Sequence, residues 1–224
     1  MPLNPVENNI NTSASFSSDL DSDTYRVDAI YNSNVIGSMN INIVKTEGLG
    51  TKNNPYIITN STQLYKIRND LDAYYELGND IDLTEDTREG GIYSLESDTC
   101  PQGFGWEAIN GFSGSLDGKG HTIKGLYQNN FITCNENDET WYTWNNNGNG
   151  LFGTMKGNAT VKNLVLEDFD INCQGGYCAA LVSKYISNMD DKGSSNNSDE
   201  TVYTANFENI AIKNSKIKGV YNKD

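Results

Sequence analysis

Histidine occurs once in this chain of 224 residues, at His121, and arginine only at Arg26, Arg68 and Arg88. One histidine leaves no HExxH zinc motif and no Ser-His-Asp triad with a second histidine to spare. Scarce cations and a formal net charge of −14 exclude the basic stripe that nucleic acid requires, and disfavour anionic membrane surfaces. No run approaches the roughly eighteen apolar residues of a membrane span. The first twenty residues also lack the charged start and apolar run of a signal peptide. Apolar residues are scarce as well, at 36% against the roughly 45–50% of ordinary domains. A thin core under a large surface is therefore expected, while 10% aromatics argue against disorder throughout.

What the chain does have is self-similarity. Phe112 to Leu126 reads FSGSLDGKGHTIKGL, in which Asp117-Gly118 predicts a tight hairpin-like turn between two short strands. Thr160 to Leu164 resembles Thr122 to Leu126 at an offset of 38 residues. Val161, Leu164, Leu166 and Ile171 match Phe207, Ile210, Ile212 and Ile217 at an offset of 46, and Asn163 matches Asn209. Gly150-Leu151-Phe152-Gly153 is echoed by Ala180-Leu181-Val182-Ser183. Such offsets indicate stacked repeats, with the longer one suiting two turns of about 23 residues each. Asn163 and Asn209 would then pass side-chain amide hydrogen bonds from rung to rung.

The run Gly50-Thr51, Asn54 to Ile58, Gln63-Leu64, Ile67-Arg68, Tyr75-Glu76-Leu77 and Asp80 to Leu83 resembles the opening of GLUG-type repeat regions. Phe112 to Ile123, Gly150 to Gly153 and Lys162-Asn163-Leu164 resemble their later parts, so the similarity extends from about Gly48 to Gly219. Such regions occur in bacterial surface proteins and in the non-catalytic part of proteins resembling immunoglobulin A proteases. The resemblance implies an all-β fold, a right-handed parallel β-helix (β-solenoid), located outside the cell or on its surface.

Three parts are expected along the chain. Residues 1–23 read as a flexible leader, and residues 24–47 as capping strands or the end of a neighbouring domain, with strand-like runs at Tyr25–Ile30 and Ile36–Val44. Residues 48–224 form the repeat region, interrupted by inserted loops at 93–105, 129–149 and 189–200. Ser61 to Leu71 is the one helix expected, near the N-terminal end, with Ser61 or Thr62 as its cap. The C-terminal strand, Ser215 to Val220, is alternating and suggests continuation of the solenoid or self-assembly at that end.

Cys100, Cys134, Cys173 and Cys178 allow three pairings. Cys173 with Cys178, and Cys100 with Cys134, is the favoured one, closing a local loop and tying two insertions together. A four-thiolate zinc site lacks the paired CxxC spacing, and free thiols are the third reading.

Candidate site residues fall into two groups. Trp106, Trp141, Tyr142 and Trp144 lie in or beside the insertions, where exposed aromatics would stack on sugars or anchor a protein. Asp80, Asp82 and Asp86, within DIDLTED, place hard oxygens at a spacing that could hold calcium, although any half-buried strand alternates likewise. No other cofactor is implied. The expected function is a non-catalytic module of a large secreted or surface protein, a stalk or adhesin for host or matrix glycans or proteins. Two other classes stay open: a polysaccharide lyase or glycoside hydrolase on the same scaffold, and a self-assembling extracellular fibre subunit.

Overall fold

The computed structural model describes residues 23–31, 34–43, 46–94, 105–129, 148–174, 177–187 and 203–220. The chain divides into two compact units, residues 1–45 and 46–224. In the first unit, β1 (Asp23–Tyr31) and β2 (Asn34–Ile43) pair as an antiparallel hairpin with a register shift between Ala29 and Ile30. Arg26 Nε meets Asp28 at 2.8 Å, and Ser38 Oγ donates to the same carboxylate at 2.6 Å, so one polar cluster spans both strands.

The second unit starts with β3 (Tyr56–Ile58) and the short helix α1 (Ser61–Tyr65), followed by a 3₁₀ turn at Lys66–Asn69. The cap is Asn60, whose Oδ1 accepts from the Gln63 N–H at 2.9 Å, one residue before the expected cap. Leu64 and Ile67 are buried as the helical spacing predicts. The helix is short because its last turn tightens into 3₁₀ before Asp70, so the predicted extension to Leu71 does not form.

Short strands follow: β4 (Tyr74–Leu77), β5 (Ile81–Asp82), β6 (Ser115–Asp117), β7 (Thr122–Lys124), β8 (Tyr127–Asn129) and β9 (Phe152–Lys156). The remainder are β10 (Thr160–Glu167), β11 (Asp170–Gln174), β12 (Val182–Ile186), β13 (Asn206–Lys213) and β14 (Lys216–Val220). Among the described residues every strand pair in this unit is parallel. A seven-stranded sheet runs β3-β4-β6-β10-β7-β5 with β13 also on β10; beside it stand β14-β11-β8 and β12-β9.

The expected right-handed parallel β-helix is not found. The strands lie in several separate, mostly parallel sheets with one short helix, and they do not close into a solenoid. The rungs are too unequal for a repeating coil: the eight residues of β10 face two three-residue strands, β6 and β7, laid end to end along one edge. Periodic apolar residues specify which strands lie in parallel register, but not that the sheets join.

Three finer expectations also change. The forty-six-residue offset is one step rather than two turns, because Val161 pairs directly with Phe207 and Leu166 with Ile212. The thirty-eight-residue match is not a pairing: Thr160 lies opposite Ser115, and Thr122 opposite Val165. Nor is Phe112 to Leu126 a hairpin, since β6 and β7 pair with β10 and not with each other. Its positive-φ residues are Lys119 (φ 52°), Gly120 (φ 84°) and Gly125 (φ 73°). Gly118 serves a close approach instead, as a Cβ there would sit 2.4 Å from the Asn163 carbonyl oxygen. The echo of Gly150–Gly153 by Ala180–Ser183, in contrast, is a pairing in register, Phe152 with Val182.

The core follows the columns of the sheets. Tyr75, Leu116 and Val161 stack on successive strands, as do Ile81, Ile123 and Leu166, and all six are buried. Phe112 and Phe152 pack with ring centroids 4.7 Å apart, bringing the β9 sheet against the same core. Burying such side chains contributes about 1.5–3 kcal/mol each.

Candidate functional site

One concave feature of the second unit is walled by Tyr56 and Tyr75 from β3 and β4 and floored by the helix and its 3₁₀ turn. Thr46, Gln63, Lys66, Asn69 and Asp70 complete a cavity of about 220 Å³. The two tyrosine rings are 5.5 Å apart, tilted by 37°. Tyr75 Oη donates to the Asp70 backbone oxygen at 2.6 Å. Burial, with Asp70 nearby, pushes the phenol well above its usual range, so it stays a neutral donor. Burial and the neighbouring Asp72 carboxyl raise the Asp70 side chain above the ordinary carboxylate value. Gln63 holds the wall in place, its Oε1 accepting from Thr59 N–H at 2.7 Å and from Thr59 Oγ1 at 3.0 Å. Phenols, amides, an ammonium and a carboxyl around so small a space are groups suited to hydroxyl-rich ligands.

A second constellation runs along the outer face of the large sheet. Lys119 Nζ lies 2.9 Å from Glu76, Lys162 Nζ 3.3 Å from Asp117, and Lys124 Nζ 3.0 Å from Asp82. Asp117 is the hub. Burial opposes its ionisation, but hydrogen bonds from Asn163, the Lys119 N–H and Lys162 outweigh it and hold the carboxyl below its usual range. The amide ladder forms as expected: Asn163 Nδ2 donates to Asp117 Oδ1 at 3.0 Å, and Asn209 Nδ2 to Asn163 Oδ1 at 3.1 Å. Both asparagines are left-handed, with φ of 53° and 54°, a conformation asparagine tolerates.

Of the predicted aromatic group, Trp106 alone lies among the described residues. Trp106 is 1% exposed and is a core residue rather than a surface platform. Its Nε1 donates to the Leu151 carbonyl at 3.3 Å, and Tyr65 meets its ring edge-on at 5.7 Å. The guanidinium of Arg68 covers the Tyr65 ring at 3.5 Å. Trp141, Tyr142 and Trp144 lie outside the described residues, as do Cys100 and Cys134 and most of the three insertions.

In the acidic group the carboxylates of Asp80 and Asp82 have protein partners. Asp80 Oδ1 accepts from the Thr122 N–H at 2.9 Å and meets His121 Nδ1 at 3.1 Å. Asp82 accepts from Thr84 Oγ1 at 2.6 Å and pairs with Lys124. Asp86 is half-buried, and its backbone oxygen accepts from the Tyr93 N–H at 2.8 Å. Among the described residues no three His, Cys, Asp or Glu side chains are grouped to hold a metal ion.

The tyrosine-walled cavity escaped sequence reasoning because its residues come from 46 to 75 with no motif linking them.

The disulfide between Cys173 and Cys178 is formed, with the two Cα atoms 6.4 Å apart, closing the loop after β11. Disulfides persist in oxidising surroundings. Among the described residues no helix is long and apolar enough to cross a membrane.

No family model and no solved structure matches the chain. A protein of Evansella cellulosilytica named "Putative Gly-rich membrane protein" is 33% identical over 147 residues, covering 63% of this chain. The chain spans only 14% of that relative's length. The disulfide and the relative's name agree with a location at the cell surface or outside the cell.

Proposed function

We propose that this chain is a rigid, non-catalytic β-sheet module of a larger cell-surface or secreted protein, presenting an adhesive surface to glycans or proteins. The observation that carries the reading is the engagement of its polar side chains across strands. Glu76, Asp117, Lys119 and Lys162 link three successive strands of one sheet, and the amide ladder extends that line to β13. Exposed ion pairs stabilise by at most about 1 kcal/mol each, so their effect is mainly to fix register and stiffness. Charged groups so arranged brace a scaffold instead of converging on a reacting bond.

The cavity between Tyr56 and Tyr75 supports a glycan as ligand, since ring faces and neutral hydroxyl donors suit a sugar's alternating apolar and hydroxyl surface. Beads coated with the protein should adhere to a matrix-glycan or host-protein panel, and Tyr56→Ala should reduce adhesion to glycan. Release of reducing sugar or unsaturated product from a polysaccharide panel would overturn the non-catalytic reading. Unchanged adhesion in Tyr56→Ala would remove the cavity from it.

A further inference from the structure

The large sheet and its three-stranded neighbour each end on a strand whose chemistry calls for another. Among the described residues β13 pairs only with β10, and β14 only with β11. Their core-facing side chains continue buried columns: Phe207 follows Val161, Ile212 follows Leu166 and Ile217 follows Ile171. The preceding residues are fully buried, whereas Phe207, Ile212 and Ile217 are 43%, 53% and 42% exposed.

The polar columns specify what should lie over them. One column, Asp82, Lys124, Glu167 and Lys213, alternates in sign over four strands; another begins with the like charges Glu76 and Asp117 and alternates from there through Lys162 to Glu208. In the smaller sheet Asp170 is followed by Lys216. The amide ladder has a direction as well, each asparagine donating to the rung before it, so that Asn209 Oδ1 is the acceptor left at the end. Lysines on an edge strand commonly serve to blunt it. A blunted edge has no need of sign alternation over four strands, nor of three exposed apolar side chains in register with a core.

We propose that the β13–β14 edge binds a parallel strand pair of repeat-like polypeptide. That partner carries apolar residues over Phe207, Ile212 and Ile217, a side-chain amide over Asn209, a cation over Glu208 and anions over Lys213 and Lys216. A second copy of this chain fits poorly. Its own edge would set Lys213 and Lys216 against like charge, and its β3 edge is occupied by the antiparallel bridge of Glu47 with Ile57. The occupant is therefore another polypeptide segment of complementary charge, and the inference is independent of any glycan bound elsewhere.

The test uses the whole chain and two synthetic peptides. One copies residues 206–220 unchanged; the other carries Glu208→Lys, Lys213→Glu and Lys216→Glu. The charge-complemented peptide should bind about tenfold or more tightly than the unchanged copy and slow amide exchange across 206–220 of the chain. In a chain carrying the same three substitutions, all at exposed positions, the preference should invert. Equal binding of both peptides, binding without exchange protection, or no binding by either would overturn the proposal. So would protection that grows with the concentration of the chain alone, which would make a second copy the occupant.

Discussion

Asp117 shows how one side chain can hold two strands. It accepts from Asn163 Nδ2 and from the Lys119 N–H at 2.9 Å, and it pairs with Lys162. Asp117→Ala leaves these donors without an acceptor and should destabilise the chain by about 1–3 kcal/mol at pH 7, read from thermal or urea unfolding. The sign of the pH dependence follows from the lowered carboxyl. A group whose folded pKa lies below its unfolded value of 3.8 contributes fully above that value, and the contribution is lost as pH falls through the folded pKa. The gap between wild type and Asp117→Ala should therefore be widest above about pH 5 and close in acid below pH 3.8; a gap that widened in acid would contradict the assignment. Asn163 offers a backbone counterpart. With φ at 53°, Asn163→Ala loses both the side-chain amide, which donates to Asp117 and accepts from Asn209, and a residue tolerant of the left-handed region, whereas Asn163→Gly loses only the amide. The glycine variant should be the more stable by about 1 kcal/mol in the same unfolding measurement.

Among elements, what could be read from sequence depended on strand length. The eight-residue strands β10 and β13 carry enough apolar positions, with the asparagine between them, to betray their register at forty-six residues. The three-residue strands β6 and β7 do not. Thr122–Leu126 resembles Thr160–Leu164 only because alternation leaves few choices; the true pairing is set by the close approach of Gly118 to Asn163, which no periodicity encodes. Trp106 illustrates a related limit. It stands beside a polar insertion in sequence, yet its ring is enclosed by Tyr65, Tyr93 and the β9 sheet. Trp106→Ala should cost about 3–5 kcal/mol and shift the global unfolding transition, where an exposed ligand platform would leave it unmoved. The cysteine loop behaves differently. Cys173 and Cys178 are five residues apart, so reduction should cost only about 2 kcal/mol and leave far-ultraviolet circular dichroism unchanged.

For the whole molecule, the decisive fact is where the core lies. Its buried apolar side chains run from Ile58 to Leu181, all within the second unit. In the hairpin of the first unit Val35, Ile36 and Met39 are each more than half exposed. The start of the second unit is closed by its own residues: Glu47 bridges Ile57, and Gly48 fits beneath the Pro55 carbonyl in a space that a Cβ would fill. A chain beginning at Thr46 should therefore keep its circular dichroism and unfold within a few degrees of the full chain, since every buried apolar side chain among the described residues belongs to the second unit. A large fall in its transition temperature, or loss of cooperativity, would mean that the first unit completes the core of the second.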